Sequence, residues 1–260
     1  MSQQTPRGML PRQQSTSDQG RQVPTFSPLY QQIKKHMIQS LEAGEWRPGE
    51  MIPSEAELAA RFEVSQGTVR KAIDEMAAEN FLVRRQGKGT FVATHDDPLN
   101  FYRFLRLMPD QGEPQQARSI PLSCERAVAD AAVASALKVA LGAPVVHITR
   151  LLSFDGRKVV YDDIYLDGEL FPTLSLDQLK ASNSSLYSFF EARFGVRMIC
   201  AEERLRAVSA SGPAAGALGV LEGSPLLLVE RIALTYGERP VEWRRGFYLT
   251  LNHHYLNQLG

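Results

Sequence analysis

Gln66, Thr68, Arg70 and Lys71 stand within one stretch of six residues, and each can address a nucleic acid. Arginine pairs in a bidentate way with guanine O6 and N7, glutamine pairs with adenine N6 and N7, and lysine meets phosphate. A second chemistry lies farther along the chain, where Arg150 and Asp162 each interrupt a run of alternating apolar residues. A charge on an apolar face needs a partner, because a stranded buried ion costs several kcal/mol, on the order of the penalties for broken buried pairs. Either these two pair with each other, or a group arriving from solvent pairs with them.

The first set needs a helix to present it. Pro53 is followed by Ser54 and Glu57, an S-x-x-E capping box that opens a short helix ending near Phe62. Ser65 caps the next helix, in which Val69, Ile73 and Met76 share one face while Gly67, Arg70, Lys71 and Asp74 lie on the other. Phe81 to Arg85 and Thr90 to Ala93 alternate as two strands joined by Gln86-Gly87-Lys88-Gly89, whose glycines suit a turn. Upstream, Leu29, Ile33, Met37 and Leu41, with Tyr30 and Ile38, mark a helix that ends near Gly44 and completes a three-helix core. This order predicts a winged helix-turn-helix whose second helix enters the major groove of duplex DNA.

Charge adds little to that reading. Residues 21 to 95 hold ten Lys or Arg and nine Asp or Glu, a net of +1, so order and spacing carry the signal. Gly87-Lys88-Gly89-Thr90 is not a nucleotide loop, because the G-x-x-x-x-G-K-[ST] spacing is absent and a strand follows it.

Residues 28 to 93 resemble the DNA-reading head of the GntR family of bacterial transcription regulators. The resemblance rests on Pro28-Leu29-Tyr30-Gln31-Gln32-Ile33, Gly44, Pro48-Gly49, Pro53-Ser54-Glu55, Glu57-Leu58-Ala59, Val64-Ser65, Thr68-Val69-Arg70 and Gln86 to Val92, all in order. It implies operator contacts from Thr68 and Arg70, with Gly87 and the adjoining wing in the minor groove. The expected DNA-binding set is Ser54, Ser65, Gln66, Gly67, Thr68, Arg70, Lys71, Gln86, Gly87 and Lys88. The family usually has Arg directly after Val-Ser, where this chain has Gln66, so the half-site is expected to differ from the family's common one.

At 260 residues and 43 % hydrophobic content, the chain is long enough for a second domain. Residues 1–25 read as a disordered tail without the apolar core of a signal peptide, 26–94 as the head, 95–100 as a linker, and 101–260 as a second domain. No run reaches the roughly 18 apolar residues of a membrane span, and a cytoplasmic location is expected. Cys124 and Cys200 are isolated, and five histidines lack metal-ligand spacing, so neither metal nor cofactor is expected.

The second domain repeats itself. Ala136, Leu137, Val139, Gly142, Pro144, Arg150, Gly156 and Val160 recur as Ala217, Leu218, Val220, Gly223, Pro225, Arg231, Gly237 and Val241, all at the separation of Arg150 and Arg231. Each copy reads as a helix, a Gly-x-Pro turn, a strand with the Arg, a Gly turn and a second strand. Two copies predict one antiparallel sheet with helices on it, an α+β domain. Parity puts Arg150 with Val146, Ile148, Leu152 and Phe154, and Asp162 with Val160, Ile164 and Leu166. Arg231 has no acid at the matching position and reads more readily as a structural brace.

This domain resembles the chorismate-lyase-like UTRA effector-binding domain found in histidine-utilisation-repressor-like members of the GntR family. Ile148-Thr149-Arg150-Leu151, Asp155-Gly156, Ser185-Leu186-Tyr187, Leu218-Gly219-Val220, Gly223-Ser224-Pro225, Arg231, Pro240-Val241-Glu242 and Tyr248 carry the resemblance. It implies an effector pocket of Arg150, Asp162, Ser185, Glu242 and Tyr248. Asp162 stands where Glu is more frequent, and Leu152 replaces a frequent second Arg, which argues against a sugar phosphate. The expectation is a homodimeric repressor on a pseudo-palindromic operator, answering to a small anionic or zwitterionic metabolite. The alternatives are a chorismate-lyase-like enzyme fused to a DNA-binding head and a ligand-blind DNA-binding dimer. No triad, metal cluster or cofactor loop supports catalysis.

Overall fold

The computed structural model describes residues 27–97, 104–113 and 116–258. The sequence-read tail at 1–25, linker residues 98–100 and the first residues of the second domain, 101–103, lie outside the described residues.

The head is built on α1 (Leu29–Glu42), α2 (Glu55–Arg61) and α3 (Gln66–Ala78), followed by the hairpin β1 (Leu82–Arg85) and β2 (Gly89–Val92). Ser54 caps α2 with a complete box, its Oγ accepting from the Glu57 amide at 3.3 Å while Glu57 Oε2 accepts from the Ser54 amide at 2.8 Å. Ser65 Oγ accepts from the Thr68 amide at 3.2 Å and so fixes the start of α3. Each cap is worth about 1 kcal/mol. The apolar face of α3 (Val69, Ala72, Ile73, Met76) packs on Ile33, Met37 and Leu41 of α1 and Leu58 of α2. The wing closes with Arg85 opposite Gly89, and Gly87 takes φ of +69°, which an L side chain adopts only with strain.

The rest of the described chain forms a six-stranded antiparallel sheet in the order β4-β5-β6-β9-β8-β7. Its strands are β4 (Arg118–Val128), β5 (Pro144–Phe154), β6 (Arg157–Asp167), β7 (Cys200–Ser209), β8 (Pro225–Leu234) and β9 (Pro240–Tyr248). The repeat read from sequence is the two halves of this sheet: β4, α4 (Ala131–Leu137), β5 and β6 correspond to β7, α7 (Gly212–Leu218), β8 and β9. The halves meet where β6 pairs with β9. The β5–β6 turn is Asp155-Gly156, both at positive φ, as a two-residue hairpin of right-handed twist requires. The β8–β9 connection is instead a short 3-10 turn at Tyr236–Glu238.

Alternation sorts the two faces. Val145, Leu151 and Tyr161 face the layer that holds α4 and α7. Val146, Ile148, Ile164 and Leu166 face α5 (Leu176–Ala181) and α6 (Leu186–Phe194), where Phe171 and Phe190 fill the core. Arg150 and Asp162 share the parity of this second set. A small sheet of β3 (Leu107–Pro109) and β10 (His253–Tyr255) closes one end. Among the described residues no helix is long and apolar enough to cross a membrane, and no cluster of His, Cys, Asp or Glu could hold a metal ion.

Candidate nucleic-acid interface and effector cavity

On the head, the polar side of α3 is open. Gln66, Gly67, Arg70 and Lys71 are exposed, as are Ser54, Ser65 and the wing residues Gln86, Gly87 and Lys88, while Thr68 is half-buried with its hydroxyl 2.9 Å from Ser65 Oγ. Arg70 does not wave freely: its Nε donates to Glu55 Oε2 at 2.9 Å. Glu55 also accepts from Arg84 at 3.1 Å, and Arg84 reaches Asp74 at 2.7 Å. The Arg70 hydrogen bond, together with Arg84 and against partial burial, holds the Glu55 carboxyl below the ordinary carboxylate range. The Lys71 ammonium lies 3.9 Å from the centroid of the Tyr30 ring, a cation–π seat on α1.

In the sheet domain, a cavity of about 390 Å³ opens between the α6 side of the sheet and the segment around Phe104. Arg118, Arg150, Lys180, Arg231 and Arg244 are on its wall, with Ser119, Ser185, Tyr187 and His95, and no carboxylate is among the described residues lining it. The acids stand behind the arginines. Asp162, directly opposite Arg150 in the β5–β6 register, accepts from Arg150 Nε at 2.8 Å and from Arg244 at 3.4 Å. Glu242 accepts from Arg244 at 2.8 Å and from the Tyr187 hydroxyl at 2.7 Å. Arg231, directly opposite Arg244, donates to Glu203 of β7 at 2.7 Å and to the Phe104 carbonyl.

The electrostatics follow from that layering. Burial works against the charge of Arg231, but Tyr187, Tyr248, Glu203 and Glu242 outweigh it and push its pKa well up. Arg150 is pulled the other way, burial and then Arg244 prevailing over Asp162. Burial and the neighbouring Glu242 push the Tyr187 hydroxyl up to about 12, so it remains a donor. Two buried atoms behind the wall, Arg244 Nε and Asp162 Oδ1, have no hydrogen-bond partner among the described residues. A cationic wall whose guanidinium groups are held from behind by buried acids can receive a polar anion.

The description "Bacterial regulatory proteins, gntR family" matches residues 29–92, and the UTRA domain matches residues 113–253, more than half of the chain. The chain belongs to the GntR family. It is a ligand-responsive, DNA-binding transcription regulator of the UTRA type, not an enzyme. PhnF of Escherichia coli (strain K12), named as a transcriptional regulator, is 33 % identical over 226 residues, covering 85 % of this chain and 91 % of its own length. The histidine utilization repressor of Pseudomonas putida is 28 % identical over 218 residues, covering 83 % and 85 %. The crystal structure of the ligand-binding domain of a chain assigned to the GntR family in Bordetella bronchiseptica is 50 % identical, with a TM-score of 0.59, covering 61 % of this chain and 99 % of that one.

Within this GntR regulator, the cavity wall includes Arg150 and Ser185 of the five effector residues expected from sequence. Asp162, Glu242 and Tyr248 lie behind it, each almost wholly buried. Arg118, Lys180, Arg231, Arg244, Tyr187 and His95 are wall residues that sequence reading did not select. For Arg231 a signal existed, since it is the copy of Arg150 81 residues on, but its acid comes from β7 and not from the matching position. Gly246 was not selected either: a Cβ there would sit 2.5 Å from the Tyr248 ring and 3.0 Å from Asp162 Oδ1.

Proposed function

We propose that the chain is a repressor that binds a pseudo-palindromic operator as a homodimer and takes a small anionic or zwitterionic metabolite in the cavity. The wall carries this reading: its described residues include five cationic side chains and no carboxylate, and the counter-charges behind it are already paired. Arg150, Arg231 and Arg244 are balanced from behind by Asp162, Glu242 and Glu203, which leaves Arg118 and Lys180 at the rim as the cations that draw an acid in. Either kind of ligand would place its acid toward the guanidinium groups of the wall. On the head, Arg70 would read a base, with Lys71 and Lys88 beside phosphate. Two heads on two half-sites give the twofold operator.

Calorimetry of the full chain against small carboxylates, amino acids and phosphate esters tests the cavity. One anion class should bind, and Arg118→Ala/Lys180→Ala should weaken it roughly tenfold or more, the size of about 1.4 kcal/mol, with little change in stability at these exposed sites. Equal binding by the double variant would move the site elsewhere. Arg70→Ala should cost roughly 1 to 3 kcal/mol of operator affinity and relax specificity at one base pair per half-site, whereas Lys88→Ala should weaken all DNA sequences alike. Operator gel shifts unchanged by Arg70→Ala would remove its reading role.

A further inference from the structure

Where the head rests on the sheet domain, two buried charges face each other without completing a hydrogen bond. Arg197 Nε and Glu191 Oε1 are 3.4 Å apart, and neither atom has a hydrogen-bond partner among the described residues. Both residues also hold the head. Arg197 donates to the carbonyls of Asn80 at 2.7 Å and Phe81 at 3.3 Å, just after α3. Glu191 Oε2 accepts from the Thr94 hydroxyl at 2.5 Å and the His95 amide at 3.0 Å, just after β2. The pair therefore grips the head on both sides of the wing. Ile199 buries in the head's core and Tyr236 stacks on Phe81 at 5.9 Å, which makes this the seat of the head and not a passing contact.

The same two residues connect to the cavity. Glu191 lies on the last turns of α6, and Ser185, Leu186 and Tyr187 at the start of α6 line the cavity. A nine-residue helix is about 13 Å long and moves as one piece. His95 belongs to both ends: its ring is on the cavity wall, 5.4 Å from the Tyr187 ring and 5.6 Å from that of Phe104, and its backbone is held by Glu191. Its Nε2 also accepts from the Met198 amide at 3.1 Å, next to Arg197.

We propose that Glu191 and Arg197 are a latch through which occupancy of the cavity sets the placement of the head, with His95 shared by latch and cavity. This rests on the reading of the cavity as the effector site. An anion seated against the start of α6 and the His95 ring would shift both together, and a charge pair whose facing atoms stand 3.4 Å apart without a hydrogen bond has room for a second, better-made arrangement. Burial raises the Glu191 pKa, in keeping with a carboxylate whose partners do not fully compensate it.

Hydrogen exchange and operator binding of the full chain, with and without millimolar inorganic phosphate at matched ionic strength, test the latch. In the wild type, phosphate should protect Ser185 to Tyr187, change exchange at Thr94 and His95, and alter operator affinity by roughly 5-fold or more, the lower end of ordinary coupling. Glu191→Gln should keep the protection at Ser185 to Tyr187 and reduce the operator response to less than about twofold. Thr94→Val removes a single hydroxyl from the latch, should lose part of the response, and carries the test if Glu191→Gln does not fold. Full operator response in both variants would overturn the latch, as would protection of the cavity that leaves Thr94 and His95 unchanged. No protection at Ser185 to Tyr187 in the wild type from phosphate, or from acetate or glutamate offered in the same way, would instead overturn the cavity reading, and the latch with it.

Discussion

The head and the cavity are made of the same chemistry, arginines against carboxylates, yet the two sets differ in what their charges are free to do. On the head, Glu55 holds Arg70 and Arg84 at the surface, and the Arg70 side chain remains 60 % exposed. In the cavity, Asp162 and Glu242 are fully buried between Arg150, Arg244 and Tyr187. Exposed pairs are worth about 0 to 1 kcal/mol and can exchange partners with DNA at little cost. Buried pairs cannot be opened that way, because either member alone is an uncompensated ion. The head can thus trade its ion pairs for a ligand, whereas the cavity must keep its own and offer what they leave unused.

Asp162→Ala puts the largest strain on that contrast. It strands Arg150 and Arg244 and should lower stability by roughly 3 to 5 kcal/mol, read as a shift in denaturant midpoint. Glu55→Ala, in the head, should cost about 1 kcal/mol or less. Equal losses would mean that the buried set is solvated in solution and that the two regions do not differ.

Glycines sharpen the same comparison. Gly246 lies opposite Asp162 in the sheet, and its missing Cβ is the space that Tyr248 and Asp162 occupy. Gly246→Ala should therefore destabilise by about 1 to 3 kcal/mol through overpacking. Gly67, in the first turn of α3, would place its Cβ 3.7 Å from Ser65 Oγ and nothing nearer, so Gly67→Ala should be neutral or stabilise by up to about 1 kcal/mol. Thermal unfolding of both variants gives the signs directly.

The difference between the regions also governs what could be read from sequence. Caps at Ser54 and Ser65, the apolar face Val69–Ile73–Met76 and the glycine turn of the wing are local, and each follows from neighbours a few residues away. Arg150 opposite Asp162 was legible for the same reason, through a hairpin whose turn is Asp155-Gly156. Arg244 beside Asp162, Glu203 opposite Arg231, and Tyr187 on Glu242 depend on β6 pairing with β9, on β7 pairing with β8 and on α6 crossing the sheet. The 81-residue repeat predicted two copies but not the edge along which they meet. His95 was read as linker, since its polar neighbourhood matches no period, and its contacts with Glu191, Met198 and Tyr187 join residues roughly a hundred positions apart.

The smallest effect expected is also the most direct test of partner exchange on the head. If Glu55 only steadies Arg70 until DNA arrives, the duplex must take the guanidinium from a carboxylate, and that carboxylate then stands near phosphates. Glu55→Gln keeps the shape and removes the charge. Nonspecific DNA should bind slightly tighter, by about 1 kcal/mol or less, because a negative charge beside the duplex is gone. Operator preference over random DNA should fall, because Arg70 loses the charged acceptor whose stronger hydrogen bond orients it toward a base edge. The pH dependence has a matching sign: the Glu55 pKa is depressed in the fold, so its pairing is present above the ordinary carboxylate value and lost as pH falls through the depressed one. Wild-type operator preference should therefore approach that of Glu55→Gln only in that acid window. Competition gel shifts at neutral pH in which Glu55→Gln keeps full operator preference would show that Arg70 needs no partner on the protein, and the exchange would then play no part in reading.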